Sequence, residues 1–224
     1  MKLYPNQAGG QTVELSTGDD LDEVPESHRD LVSDTLRQAF ADPPTWFREI
    51  AERSTIPELS QWLTALIANA QWRLLLHEGF MYDRSTLAAF CWHSTTVTSA
   101  MVSLPATYLS PRLPEGLRGF HSLVDSVHWD AFGYAGGVLG SQSHIPLTAF
   151  DSRPKKKGFN PQQCVVWGNS SCGDLLIYTQ AGKAGFLSHE SGKVQSLGTI
   201  DEAIRWVFQQ LLANQTPEFD YSKA

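Results

Sequence analysis

The residues of this chain that could do chemistry fall into three groups. Cys91 and His93 stand two apart. On a strand that spacing puts both on one face, as a metal pair or a Cys–His dyad would need. Structural zinc takes four ligands, however, and a dyad draws its partners from distant parts of a chain. A half-buried cysteine beside an incidental histidine is the plainer reading. His121, His128 and His144 can gather with Asp125 and Asp130 around a glycine-rich turn. His121 and Asp125 are four apart, which on a helix sets a base beside its orienting carboxylate or makes an ordinary surface pair. Ser141 and Ser143 lie nearby, but residues 137–141 read Gly-Val-Leu-Gly-Ser, not the Gly-x-Ser-x-Gly elbow of hydrolases. Gly133, Gly136, Gly137 and Gly140 fit neither a phosphate loop nor a dinucleotide fingerprint. A turn needing positive φ and close backbone approach accounts for them. The third group is aromatic and acidic. Trp129 and Tyr134 flank that turn beside Asp130, where packing does not obviously require them, and aromatics in turns serve as interface anchors. Asp174 and Glu190 sit near strand ends. No catalytic residue, no metal and no cofactor is expected; the alternative is a hydrolase using the His121, His128 and Ser141 region.

The elements that must hold these residues are read from periodicity. The last quarter reads as three short strands, at Val165 to Trp167, Asp174 to Thr179 and around Phe186, separated by Gly-rich turns. Thr199 and Glu202 form a capping box. Ile200, Ala203, Ile204, Val207, Phe208, Leu211 and Leu212 then lay one apolar stripe along a helix. Upstream, a first helix is expected from Pro25, with Leu31, Val32, Leu36, Ala39 and Phe40 on one face. A second follows Asp42-Pro43-Pro44. A third starts at Pro57 behind a Thr55/Glu58 capping box. Trp46, Trp62 and Trp206 sit on such stripes and are expected in the core. Leu74 to Leu76, Ala89 to Trp92 and Thr95 to Thr98 are strand-like, with a helix across Thr86 to Trp92 as the alternative. Residues 104–114 are a Pro-punctuated linker and the candidate boundary. The expected fold is α+β: an N-terminal helical segment followed by a mixed or antiparallel sheet flanked by helices. Residues 1–103 form a helical and strand segment and residues 104–224 an α+β domain, unless the two are continuous.

Several of these signals occur together in one family. The series Val165-Val166-Trp167-Gly168, Gly173-Asp174 with Leu175 to Tyr178, His189-Glu190 with Gly192, and Thr199 to Ala203 resembles the C-terminal half of the SMI1/KNR4-like, or SUKH, superfamily. Leu113-Pro114 through Phe120 is similar to that family's entry helix. The segment from Trp129 to Gly137 replaces the Asn-Gly expected there, and the first hundred or so residues have no counterpart. The resemblance implies an immunity protein that binds a cognate bacterial toxin in the cytoplasm and blocks it by stoichiometric occlusion. Trp129, Tyr134, Asp174 and Glu190 are the partner-binding candidates. A regulatory protein-binding scaffold would share that physics.

Composition sets the bounds. The chain has 224 residues and a formal net charge of -7. That balance lacks the basic face of a nucleic-acid binder and suits a basic protein partner. Met1 to Gln7 lacks the apolar core of a signal peptide, and no apolar run approaches a membrane span. Cys91, Cys164 and Cys172 are an odd number without metal-site spacing, which reads as reduced thiols in the cytoplasm.

Overall fold

The computed structural model of the chain describes residues 1–5, 10–77, 85–92, 97–129, 136–151 and 153–222. His93, Thr95, Thr96, Asp130, Gly133 and Tyr134 lie outside the described residues. The chain opens with a hairpin of β1 (Lys2–Pro5) and β2 (Gln11–Ser16). The first helix does not start at Pro25. Glu26–Leu31 is a 3-10 segment, pinned to β2 where His28 Nε2–H donates to the Gln11 carbonyl at 3.2 Å. Val32 leaves helical geometry, and Ser33 caps a new start by accepting from the Leu36 N–H at 3.1 Å. The helix is α1 (Asp34–Ala41). Asp42 caps α2 (Pro43–Arg53) by accepting from the Thr45 N–H at 3.2 Å. Pro57 opens α3 (Pro57–Asn69), but the Thr55/Glu58 box does not form. Ser54 Oγ takes the Ile56 N–H instead.

The remaining elements are β3 (Ala70–His77), β4 (Ser85–Trp92), β5 (Val97–Val102), α4 (Glu115–His121), β6 (Val127–Trp129), β7 (Gly136–Val138), β8 (Ile145–Pro146), β9 (Cys164–Asn169), β10 (Leu175–Thr179), β11 (Lys183–Leu187), β12 (Val194–Thr199) and α5 (Ile200–Leu212). The segment from Thr86 to Trp92 is therefore strand, and the C-terminal meander has four strands where three were expected. Val194 and Leu197 belong to the fourth.

All described strand pairs are antiparallel. They form one sheet in the order β1-β2-β3-β4-β5-β6-β7-β9-β10-β11-β12, with β8 also on β9. The fold is thus α+β, a helical N-terminal region with an antiparallel sheet flanked by helices. Hydrogen bonding passes from β5 to β6 across residues 104–114. One apolar cluster on the helix side includes residues from Val13 to Phe219. In it Trp72 stacks on Phe47 at 4.8 Å, and Trp62 of α3 meets Phe208 of α5 at 5.3 Å. A second cluster on the other face joins Ile177, Val166 and Cys164 to Leu147 and Phe159. Covered on both faces, β10 is buried at every position, which explains its unbroken Leu-Leu-Ile-Tyr run. Gly168 lets β7 and β9 close up, since a Cβ there would lie 2.6 Å from the Gly137 carbonyl oxygen. Among the described residues no helix is long and apolar enough to cross a membrane.

The capping box on α5 is complete. The Thr199 N–H donates to Glu202 Oε2 at 2.7 Å, and the Glu202 N–H to Thr199 Oγ1 at 3.3 Å. Its inward face buries Ile200, Ile204, Val207 and Phe208. Each side chain of this kind is worth about 1.5–3 kcal/mol when fully buried, against a total stability of about 5–15 kcal/mol. Truncation before Ile200 should therefore abolish cooperative unfolding, and Phe208→Ala should cost about 3–5 kcal/mol. Urea melts followed by circular dichroism check both. A truncated chain that still melts cooperatively would contradict this packing.

Candidate functional site

Two clusters of polar side chains stand out, and each is built around a carboxylate. The first lies at the C-terminal end of α4. Leu117, Phe120 and His121 are its buried positions, so the helix delivers His121 into the interior at 0% exposure. The helix ends there, and Asp125 lies beyond it in the following turn, not on the expected helix face. The pair still meets. His121 Nδ1 is 2.7 Å from the Asp125 carbonyl oxygen and 3.3 Å from Asp125 Oδ1. A carbonyl only accepts, so Nδ1 carries the proton and, in the neutral ring, Nε2 is a bare lone pair. Asp125 Oδ1 also accepts from the Ser141 N–H at 2.8 Å.

His144 completes the group. Its ring centre is 5.1 Å from that of His121 and 6.0 Å from that of Tyr178. Nε2 of His121 is buried without a hydrogen-bond partner, while the Ser141 side chain bonds to Asp125 and the His144 ring to the Leu139 backbone. Burial would raise the Asp125 pKa, but the hydrogen bonds from His121 and Ser141 outweigh it and hold the carboxyl below its ordinary value. Burial, reinforced by His121, pushes His144 down to about 3. Burial also raises Tyr178, and it takes Cys164 up to about 11.

His128 does not join this group. It alternates with Val127 and Trp129, which face the helix-side core, so its own side chain leaves by the other face of β6. There it lies against Gly137, where a Cβ would come 2.5 Å from His128 Nδ1. The glycines at 136 and 137 are thus required by close approach. Neither has positive φ.

The second cluster is at the β11–β12 turn. Asp174 was expected on the surface, but it is buried at 2% exposure. Its Oδ1 accepts from the His189 N–H at 3.0 Å and from His189 Nδ1–H at 2.9 Å. The His189 side chain is 39% exposed and that of Glu190 74%, with Glu190 Oε1 4.0 Å from His189 Nε2. Ser188 Oγ accepts from the Ser191 N–H, closing the turn.

Of the four partner-binding candidates, then, Glu190 is exposed and Asp174 sits behind it as an anchor. Trp129 must be corrected. It lies on a central strand at 1% exposure and is core, not surface. Tyr134 lies outside the described residues, as does His93 of the Cys91–His93 pair. Sequence reasoning missed Tyr178 and the anchoring role of Asp174. No local signal marks the latter, because His189 reaches Asp174 only through the pairing of β10 with β11. Compared with known proteins, the chain matches no family model, no curated protein and no solved structure.

The unfolded chain binds a proton at His144 near pH 6.5, the folded chain only near pH 3. Its contribution to stability is therefore complete above pH 6.5 and lost on acidification. At one pH unit per 1.36 kcal/mol, the loss at pH 5 relative to pH 8 is about 2 kcal/mol. Asp125 acts in the same direction at lower pH, because its folded pKa is depressed below 3.8. Urea unfolding at the two pH values should show the loss in the native sequence and a smaller one in His144→Asn. An unchanged pH dependence in the variant would separate it from His144.

Proposed function

We propose that the chain is a cytoplasmic immunity protein that binds a basic protein toxin and blocks it by stoichiometric occlusion. The observation that carries this reading is the turn of residues 188–192. A buried carboxylate, Asp174, holds both the backbone and the ring of His189, so the exposed His189–Glu190 pair is presented in a fixed shape. A surface ordered before contact loses less conformational entropy on binding. The formal net charge of -7 favours encounter with a basic partner. The resemblance of the C-terminal meander and its capped helix to the SUKH superfamily supplies the toxin as the partner. The contact surface has Glu190 at its rim, with Tyr134 a further candidate.

A hydrolase is the second reading, because Asp125 gathers both His121 and Ser141. It is the weaker one. Ser141 Oγ has no hydrogen bond to a histidine and the residue is only 8% exposed, so no base activates it and little of it meets solvent.

The test uses the product of the neighbouring gene as the probe, with affinity capture followed by binding kinetics. Glu190→Lys should slow association roughly tenfold at low salt and change dissociation little, as charges at an interface rim do. Asp174→Ala leaves the His189 N–H unpaired and should cost about 1–3 kcal/mol of stability, with weaker capture. Ser141→Ala should bind and protect cells as the native protein does. A Ser141→Ala protein that folds and binds yet fails to protect would move the assignment to the hydrolase.

A further inference from the structure

The net charge of -7 hides a local reversal. Between Arg153 and Thr199 the cations Arg153, Lys155, Lys156, Lys157, Lys183 and Lys193 stand against two carboxylates, Asp174 and Glu190. Asp174 is buried and committed to His189. All the cations of this stretch are exposed, and Glu190 is the one carboxylate exposed among them. The surface given to solvent here is therefore basic, in a chain that is acidic as a whole.

A run of lysines is commonly a solvated loop, but here the fold fixes its place. β12 ends the sheet, and the loop after Arg153 lies along the start of its free edge. The Lys155 N–H donates to the Gly192 carbonyl at 2.8 Å, and Lys156 Nζ donates to the Val194 carbonyl at 3.2 Å. Gly192 is required at this approach, since a Cβ there would lie 2.4 Å from the Arg153 carbonyl oxygen. Gly158, at a φ of +95, then turns the chain against β11, where a Cβ would stand 3.5 Å from Lys183 Nζ. The loop thus joins its own lysines to those of β11 and β12. Among the described residues no carboxylate pairs with Lys155, Lys157 or Lys183. Like charges held close repel each other, and an anion bound between them relieves that repulsion.

We propose that this strip, from Arg153 through Lys157 to Lys183 and Lys193, docks an acidic segment of a protein partner. The surroundings favour carboxylates over other polyanions. From residue 153 to 160 the one aromatic side chain, Phe159, is buried, so no ring is offered for bases to stack on or for a lipid surface to take up. A nucleic-acid duplex carries a phosphate charge about every 1.7 Å and would meet the negative field of the whole chain. A short acidic segment meets the strip alone. The strip borders the 188–192 turn at Gly192 but takes the opposite charge. It therefore goes beyond the toxin-binding reading and does not rest on it.

The experiment is fluorescence anisotropy of a labelled oligo-glutamate peptide titrated with the full chain at low and at physiological salt. Binding is expected at low salt, and weakening as salt rises. Lys155→Glu, Lys157→Glu and Lys183→Glu combined should weaken it about tenfold or more. Arg48→Glu, Arg112→Glu and Arg118→Glu combined alter the net charge equally, at exposed positions elsewhere, and should weaken it far less. Glu190→Lys should leave peptide binding unchanged or strengthen it, whereas on the toxin reading it slows toxin association, so the two readings fail separately. In the native sequence the peptide should shift the nitrogen-15 amide signals of residues 153–158 and 193, which needs no variant to fold. No binding at low salt, equal losses in the two combined variants, amide shifts confined to other residues, or tighter binding of a DNA duplex or of phosphatidylserine vesicles than of the peptide would each overturn the proposal.

Discussion

The fold depends on covering one face of a single antiparallel sheet. A sheet in which nearly every strand pairs with its sequence neighbour has a simple path but two broad faces. On the helix side the cover comes from α3 and α5, whose meeting point is the contact of Trp62 with Phe208. Phe120 of α4 reaches the same ring at 5.9 Å. One side chain thus joins helices from the beginning, middle and end of the chain. Glu58 of α3 reinforces the junction, accepting from Gln209 Nε2 at 3.0 Å.

That junction also shows why some features were legible in the sequence and others were not. The α5 stripe and its capping box depend on residues within a few positions of each other, and both formed as read. The Thr55/Glu58 box had the same local signature. There Ser54 satisfied the turn first, and Glu58 was drawn to Gln209 and Arg205 of a helix far along the chain. The first helix failed for a similar reason: the His28 hydrogen bond to Gln11 ties its expected first turns to a strand. Trp129 could not be placed from its neighbours, because a three-residue strand has too little periodicity to announce itself. Its glycine-rich flank looked like a turn. Those glycines in fact admit the large side chains of β6, as the 2.5 Å approach of a Gly136 Cβ to Trp129 Nε1 indicates.

The two polar clusters use one chemical arrangement in opposite settings. In each, an aspartate fixes a histidine through Nδ1, by the backbone carbonyl of Asp125 and by the carboxylate of Asp174, and its carboxylate takes a backbone N–H, from Ser141 in one case and from His189 in the other. At Asp125 the histidine is enclosed. At Asp174 the carboxylate is enclosed while the histidine emerges beside Glu190. The i,i+4 spacing pointed to the first pair. Nothing local pointed to the second, since Asp174 and His189 are joined only when β10 and β11 fold back on each other. The exposed one offers a shaped surface to something larger, with Glu190 beside Lys193 and with Lys155 packed at Gly192, and that difference directs the functional reading toward binding.

The most direct test of that reading is a hydrogen-exchange footprint of the full chain with and without its captured partner. The account predicts that added protection centres on residues 188–192 and the adjoining ends of β11 and β12. Protection confined to the segment around Ser141 and His144, with the 188–192 turn unchanged, would contradict it.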